Sequence, residues 1–246
     1  MDGFIYTAMN GARQLLLKQA TNHHNIANLN TVGYRADTDA FRSLPMYGPG
    51  HPSRVYPQDH RAGVDFNPGP IITTGNDLDV AIDGEGFIAV EGPDGEEAYT
   101  RNGEFRVNPF GQLETAAGWA VLGEGGPIAV PPNAKLMIGK DGTISIQPLG
   151  QEASTLAVVD RIKLVNPDLE LLKKDRVGLL RQSDGELAEP DADVTLVSGA
   201  LESSNVSGVS ALVDMIEIAR RFELTVQLMK KAEQNDSQSA TLLKIS

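Results

Sequence analysis

The chain has 246 residues, a net charge of −12 and no cysteine. The charge excludes a surface that tracks nucleic-acid phosphates, because such a surface needs clustered lysine and arginine and no dense basic run is present. Without cysteine the chain forms neither a disulfide framework nor a thiolate metal site. We also expect no cleaved secretory signal and no membrane span, because no apolar run approaches the roughly 20 residues that a span requires.

The first thirty residues predict a helix with one apolar stripe. Alternating steps of three and four residues pass through eight positions, of which six are apolar, and this pattern is typical of a helix that packs along a partner helix. Gly11 weakens an isolated helix by about 1 kcal/mol relative to alanine, so packing must stabilise it. The stripe consists of Ile5, Ala8, Ala12, Leu15, Gln19, Asn22, Ile26 and Leu29.

The segment 33–75 predicts an extended linker. Its runs SLPMYGPGHPSRVYP and FNPGP are rich in proline and glycine, which interrupt regular structure. A stretch of this length without secondary structure is unusual inside a compact domain and indicates a functional loop or a linker. We therefore expect irregular, extended chain here.

Residues 76–198 predict a β domain. Apolar and polar residues alternate in LDVAI, GFIAV and GTISI, and turn signals such as PDGEE, TRNGEF and KDGT separate these runs. No amphipathic helix intervenes between the predicted strands. The pattern therefore favours an antiparallel barrel or sandwich over a sheet with helical crossovers.

After Ser198 the pattern becomes helical again. The run SALVDMIEIARRFELTVQLMKKAEQNDSQSATLL contains no proline or glycine, which predicts one long helix. Its steps of three and four residues pass through an unbroken apolar stripe, as in a coiled coil. That stripe consists of Leu212, Met215, Ala219, Phe222, Val226 and Met229.

These elements predict an α+β fold. We expect the helices of 1–32 and 199–246 to pair with each other as a coiled coil and to enclose a central antiparallel β barrel or sandwich. The alternative is that each helix docks separately on the β domain and completes its core.

One motif superficially indicates a cofactor. Gly84, Gly86 and Ala89 match the pattern G-x-G-x-x-A of dinucleotide-binding proteins, directly after a predicted strand. That site works only when a helix begins at the third position. Gly92 and Pro93 end the following apolar run within a few residues, so no helix follows. We expect a hairpin turn at Gly84 and Gly86.

Metal binding and catalysis have no support in the sequence. Asp77, Asp79 and Asp83 lack the ligand spacing and the glycine of an EF-hand loop. His23 and His24 are neighbours on a helix and diverge by about 100°, so they do not chelate one ion. We therefore expect no catalytic residue, cofactor, metal or small-molecule substrate.

Two segments resemble the signatures of a known family. LVSGALESSNVSGVSALVDMIEIARRFE is similar to the C-terminal signature of the bacterial flagellar axial proteins, which include the rod, hook and hook-associated proteins. NIANLNTVGYR resembles their N-terminal signature, in which Asn-hydrophobic-Ala-Asn precedes a threonine and a Gly-aromatic-basic triplet. The matching N-terminal residues are Asn25, Ile26, Ala27, Asn28, Thr31, Gly33, Tyr34 and Arg35.

The resemblance implies a structural subunit of the basal-body rod, most similar to the proximal rod members. Such a subunit polymerises into the axial drive shaft, transmits torque and surrounds the export channel. The implied partners are other rod proteins and the flagellar export apparatus. The implied location is the periplasmic rod, reached by type III export without a cleaved signal. Alternatives are a distal rod or other axial protein, and a non-catalytic carbohydrate- or protein-binding β module.

The resemblance also implies the assembly interface, namely the eight matching N-terminal residues together with the apolar stripe of the C-terminal helix. Asn25, Asn28 and Asn30 tolerate left-handed backbone at a helix end, and their amides can bond freed carbonyls or adjacent subunits. We expect Thr31 and Gly33 to redirect the chain after the helix. This segment is thus predicted to be a joint between an inner helical layer and the outer part of a tube.

Overall fold

The computed structural model describes residues 2–45, 55–148 and 157–245, which contain two helices and eighteen strands. The predicted α+β class is confirmed. The helices are α1 (Asp2–Ala27) and α2 (Gly208–Ile245). The strands are β1 (Asp37–Pro45), β2 (Val55–Val64), β3 (Ile71–Thr73), β4 (Val80–Asp83), β5 (Phe87–Glu91), β6 (Glu97–Thr100), β7 (Phe105–Val107), β8 (Leu113–Thr115), β9 (Leu122–Gly123), β10 (Gly126–Pro127), β11 (Asn133–Ile138), β12 (Thr143–Pro148), β13 (Ala157–Arg161), β14 (Leu164–Val165), β15 (Leu172–Lys174), β16 (Leu180–Gln182), β17 (Thr195–Ser198) and β18 (Ala200–Glu202).

The chain divides into two compact units. The helical unit consists of Met1–Leu29, Asp37–Asp65 and Val206–Ser246. The β unit consists of Asn30–Ala36 and Phe66–Asn205. Each unit therefore combines segments that are far apart in the sequence.

In the helical unit, α1 and α2 pack against each other. The buried Nδ2 of Asn22 donates a hydrogen bond to the carbonyl of Ala211 at 2.8 Å, and Gly208 lies directly against the side chain of Leu29. Because α2 begins beside the end of α1, the two helices run antiparallel. All eight positions of the predicted α1 stripe are buried or half-buried, so this stripe faces the interior of the unit.

The prediction of irregular chain in 33–75 is wrong for most of the residues that the structure describes there. Strands β1 and β2 form an antiparallel hairpin, from Asp37 opposite Val64 to Pro45 opposite Val55, and both strands contact α1. Proline is tolerated because each strand of a two-stranded sheet has a free edge, where no backbone N–H is needed. The proline-rich residues 46–54 of the predicted linker lie outside the described residues.

The β unit contains several small antiparallel sheets. A five-stranded sheet has the order β14-β5-β6-β16-β15, and a three-stranded sheet has the order β11-β12-β13. The pairs β4–β17, β3–β18, β7–β8 and β9–β10 are separate. Within the described residues these sheets do not close into the barrel that we considered, because the strands, of two to six residues, pair in separate ladders.

Side chains from these sheets share one core. Ile88, Leu113, Ile128 and Ile144 are completely buried there. Burial of this kind, at roughly 25 cal/mol per Å² of apolar surface, is the main stabilising term for a unit built from such short strands.

The glycines of the cofactor-like motif form a turn between β4 and β5. Gly84 and Gly86 have φ angles of 94° and 117°, which glycine adopts without strain. The expected hairpin is wrong, because β4 and β5 belong to different sheets. A Cβ on Gly86 would lie 2.7 Å from the side chain of Val194, so close packing explains this glycine.

None of the helices in the described residues is both long enough and apolar enough to span a membrane.

Replacement of a core side chain should destabilise the β unit. We expect Leu113→Ala to lower the free energy of unfolding by about 2–5 kcal/mol, because the surrounding core cannot fully collapse into the cavity. Val158 is 70% exposed, and Val158→Ala should change the free energy by no more than about 0.5 kcal/mol. Urea unfolding of the full chain measures both values. Equal effects of the two variants would contradict the assigned core.

Candidate functional site

The N-terminal signature begins in the helical unit, where Asn25 bonds the end of α1 to the start of β1. Its Nδ2 donates to the carbonyl of Asp37 and its Oδ1 accepts from the N–H of Asp37, both at 2.9 Å. The Asn25 amide thus satisfies both the N–H and the C=O of Asp37, in the way that a neighbouring strand satisfies these groups in a sheet. His24 Nδ1 lies 2.7 Å from Asp37 Oδ2, and Thr21 donates to Asp39 at 3.0 Å.

A second side-chain amide of the signature, that of Asn28, bonds to the end of α1. Its Nδ2 donates to the carbonyl of His24 at 2.9 Å. That carbonyl is one of the last four of the helix, which lack an intrahelical partner. The asparagines of the signature do not use the left-handed backbone that this residue type tolerates, since every positive φ in the described residues belongs to a glycine. The expected bonding of freed carbonyls is confirmed by Asn28.

The two signatures meet in the β unit. The N–H of Gly33 donates to the carbonyl of Glu202 at 2.8 Å, and the N–H of Asn205 donates to the carbonyl of Tyr34 at 3.3 Å. The side-chain oxygen of Asn205 also accepts from the N–H of Ala36 at 2.8 Å. Residues that lie about 170 positions apart in the sequence are therefore held by backbone hydrogen bonds.

The carboxylate of Glu202 is the centre of this region, and its side chain is 1% exposed. Oε1 accepts from Arg35 Nη1 at 2.5 Å and from the N–H of Gly69 at 2.8 Å, while Oε2 accepts from Arg101 Nη1 at 3.0 Å. Arg35 and Arg101 are 3% and 5% exposed. A buried charge is stable only when it is paired and hydrogen-bonded, so this carboxylate holds three distant segments together.

Two guanidinium groups share one carboxylate, so the buried cluster carries an excess positive charge. Burial lowers the pKa of the Arg101 guanidinium, and the charge of Glu202 opposes that shift. Arg101 remains protonated, because arginine does not lose its proton in proteins. Its Nη2 donates to the carbonyl of Gly84 at 2.8 Å, and its guanidinium lies 5.2 Å from the ring centroid of Phe87.

The Gly-aromatic-basic triplet of the N-terminal signature has a physical explanation at each position. Gly33 has a φ of 67°, and a Cβ there would lie 2.3 Å from the carbonyl carbon of Arg101. Tyr34 is buried, and Lys174 Nζ lies 3.8 Å from its ring centroid, a cation–π contact. The same Nζ donates to the carbonyl of Arg35 at 2.8 Å. In this triplet Gly33 allows close backbone packing against Arg101, Tyr34 supplies the ring that contacts Lys174, and Arg35 supplies a charge that pairs with Glu202.

The remaining residues of the N-terminal signature lie nearer to solvent. Ile26 is half-buried in the helical unit, and Ala27 is exposed. Thr31 is also exposed, and its carbonyl accepts from the N–H of Tyr34 at 3.3 Å, which forms the turn after α1.

The predicted stripe of α2 is divided between two faces. Leu212 and Ala219 are exposed. Ala211 and Ile218, each one residue earlier, are buried instead. The inner face is displaced because the hydrogen bond from Asn22 brings Ala211 against α1. The other predicted residues are half-buried, namely Met215, Phe222, Val226 and Met229.

Both helices also carry large apolar side chains that the described residues leave exposed. In α1, Tyr6 and Met9 are 59% and 55% exposed, and in α2, Ile216 and Val209 are 59% and 77% exposed. Spacings of three and four residues connect many of these positions, so they form outer stripes distinct from the buried inner ones. The complete set is Tyr6, Met9, Leu16, Leu17, Val209, Leu212, Val213, Ile216, Leu224 and Leu228.

The sequence did not identify Arg101, Gly69 or Lys174 as part of this region. Arg101 lies in the run YTRNGEF, which we interpreted as a turn of the β domain. A charged residue beside a buried strand is a signal of ion pairing. Its partner Glu202 lies 101 positions away, and no local pattern connects the two.

Removal of the charge of Glu202 should destabilise the β unit. We expect Glu202→Gln to cost about 3–5 kcal/mol of the free energy of unfolding, because two buried guanidinium groups lose their counter-charge. Glu96 pairs with the same residue type, Arg181, but its side chain is 75% exposed. Glu96→Gln should therefore cost no more than about 1 kcal/mol in the same urea titration. Similar losses for both variants would contradict the role of Glu202.

Family profiles match three parts of the chain. Residues 5–35 match the profile described as "Flagella basal body rod protein". Residues 81–146 match "Flagellar hook protein FlgE/F/G D1 domain", and residues 197–242 match "Flagellar basal body rod FlgEFG protein C-terminal". The first and last matches include the two signature segments that meet at Glu202.

Relatives match over the entire chain. The flagellar basal-body rod protein FlgF of Escherichia coli is 41% identical over 252 aligned residues, which cover 100% of both chains. FlgF of Salmonella typhimurium is 40% identical with the same coverage. FlgF of Caulobacter vibrioides is 34% identical over 93% of both chains. The chain therefore belongs to the flagellar basal-body rod protein family and is similar to its FlgF members.

Proposed function

We propose that the chain is a structural subunit of the proximal rod of the bacterial flagellar basal body. It resembles FlgF rod proteins over its whole length, and this family is one of structural proteins rather than enzymes. The proposal places the chain in the axial drive shaft, which transmits torque and surrounds the export channel.

The observation that carries the proposal is the exposed apolar surface of the two helices. Exposed side chains such as Tyr6, Val209 and Ile216 contribute no hydrophobic stabilisation to the free subunit. Full burial of each in an interface would stabilise the assembly by about 1.5–3 kcal/mol. Outer apolar stripes on a helix pair of this kind fit lateral packing against the helices of neighbouring subunits.

We assign the predicted interface residues two different tasks. Leu212 and Ala219 are exposed and would contact neighbouring subunits. Half-buried residues such as Phe222 and Met229 would instead maintain the pairing of α2 with α1 as a coiled coil. In this proposal the helices of 1–32 and 199–246 belong to the inner layer of the rod, and the β domain of 76–198 belongs to its outer part.

The N-terminal signature would act as the joint of the subunit. Asn25 is bonded to the hairpin of the helical unit, and Gly33, Tyr34 and Arg35 are bonded to residues of the β unit. Five residues of the signature, counting Asn28, thus bond the chain within the helical unit before the passage and within the β unit after it.

The partners and location follow from this role. A rod grows by heterologous contacts that do not close, so one subunit type adds helically to the next. Its neighbours would be other proximal and distal rod proteins, and its carrier would be the flagellar export apparatus. Export by that route, without a cleaved signal, would bring the chain to the periplasmic rod.

A charge in the outer stripe should prevent assembly without unfolding the subunit. Leu212 is 49% exposed, so we expect Leu212→Asp to leave thermal unfolding of the free chain nearly unchanged, within about 0.5 kcal/mol. The buried interface cannot accept an unpaired carboxylate. We therefore expect the variant to be missing from purified basal bodies and the cells not to swim.

Gln227→Asp is the matched control, because Gln227 is an exposed polar residue of the same helix. It adds the same charge to the same helix without replacing an apolar side chain, and it should support normal swimming. Basal bodies that contain Leu212→Asp at the normal level would refute the proposed interface.

A further inference from the structure

Phe110 is the most exposed large apolar side chain of the described residues, at 90%. It lies in the turn between β7 and β8. A single exposed apolar residue on a flexible loop needs no explanation. The turn that carries Phe110, however, is held by a dense set of hydrogen bonds.

Asn108 organises this turn. Its Oδ1 accepts from the N–H groups of Phe110 and Gln112, both at 2.9 Å, and its Nδ2 donates to Gln112 Oε1 at 3.3 Å. The backbone adds Gly111 N–H to the carbonyl of Asn108 at 2.9 Å, and the N–H of Val130 donates to the carbonyl of Gly111 at 2.6 Å. The ring of Phe110 is therefore presented to solvent from a fixed backbone.

Other exposed apolar residues lie on or beside the same hairpin. Ala129 is bridged to Gln112, which brings the segment after β10 next to the turn. We call these exposed residues the Phe110 patch, and both prolines in it restrict the backbone further. The patch consists of Val107, Pro109, Phe110, Ala129 and Pro131.

The size of the patch limits what it binds. A phenylalanine buries about 150–250 Å², and the other four side chains are smaller, whereas a stable interface needs about 800 Å² on each partner. The Phe110 patch is therefore the centre of a contact rather than a complete interface. It suits a partner that other contacts already hold nearby, and in a rod the terminal helices supply those contacts.

The charge of the patch favours a second copy of the chain as that partner. Two copies repel each other because each carries a net charge of −12, so they meet most easily where the surface is neutral. Residues 107–113 and 127–134 contain no charged residue. Charges that directly flank these segments are compensated, because Arg106 pairs with Glu114 at 2.7 Å and Lys135 with Asp77 at 3.4 Å.

We propose that the Phe110 patch docks on the β unit of a neighbouring copy in the rod, with Phe110 as the anchor residue. This contact rests on the proposed rod function and adds a second interface to that of the helices. It fixes the β units to one another while the helices supply most of the binding energy.

Photo-cross-linking tests the contact in the assembled structure. A benzophenone amino acid is placed at position 110, in a strain whose only copy of this chain carries it, and basal bodies are irradiated and digested for mass spectrometry. We expect a cross-link from position 110 to a peptide of 66–205 in a second copy. The control position is Val158, which is 70% exposed but lies outside the patch, and it should give no such product.

Cross-links only to a different protein, or none from basal bodies that contain the chain, would overturn the contact and leave the rod function intact. Absence of the unmodified chain from basal bodies would overturn both. As a second readout, Phe110→Asp should keep the unfolding midpoint of the free chain and weaken the contact on the order of thirtyfold, so that fewer complete rods form. Phe110→Met should restore them, and normal rod numbers with Phe110→Asp would also overturn the proposal.

Discussion

A single buried carboxylate, that of Glu202, connects the segment that follows α1 with the segment that precedes α2. Glu202 accepts hydrogen bonds from Arg35, Arg101 and Gly69, and loss of its charge would leave two buried guanidinium groups without their shared counter-charge. Because Arg35 follows α1 in the chain and Glu202 precedes α2, the segments that lead to both terminal helices are fastened to each other inside the β unit. The buried ion cluster favours this one arrangement of the three segments, because other arrangements would leave buried charges unpaired.

Each terminal helix has apolar residues on two faces, a buried inner face and an exposed outer face. The inner faces of α1 and α2 bury small residues such as Ala12 and Ala211, so that Asn22 reaches the backbone of α2. The outer faces keep larger residues such as Met9 and Ile216 exposed. A helix pair that satisfied itself completely would have nothing left with which to assemble. We propose that assembly buries these exposed stripes, whose apolar surface faces solvent in the free subunit.

Local patterns in the sequence predicted the secondary-structure elements better than the tertiary contacts between them. The α1 stripe was predicted at every position because helical periodicity is a local property. The hairpin β1–β2 was missed because prolines such as Pro57 indicate irregular chain, although a free strand edge accepts them. Leu212 and Ala219 were placed one residue off the inner face, since the contact of Asn22 sets that face. The bonds of Glu202 join positions too distant for any local signal.

The central claim is that this chain is an integral subunit of the rod. Quantitative mass spectrometry of hook–basal bodies, purified from the bacterium that produces the chain, tests it most directly. We expect the chain at a fixed ratio to the other rod proteins, and we expect this ratio to persist after washes that remove peripheral proteins. Intact basal bodies that lack the chain would contradict the claim, and the β unit would then have to be understood as a binding module.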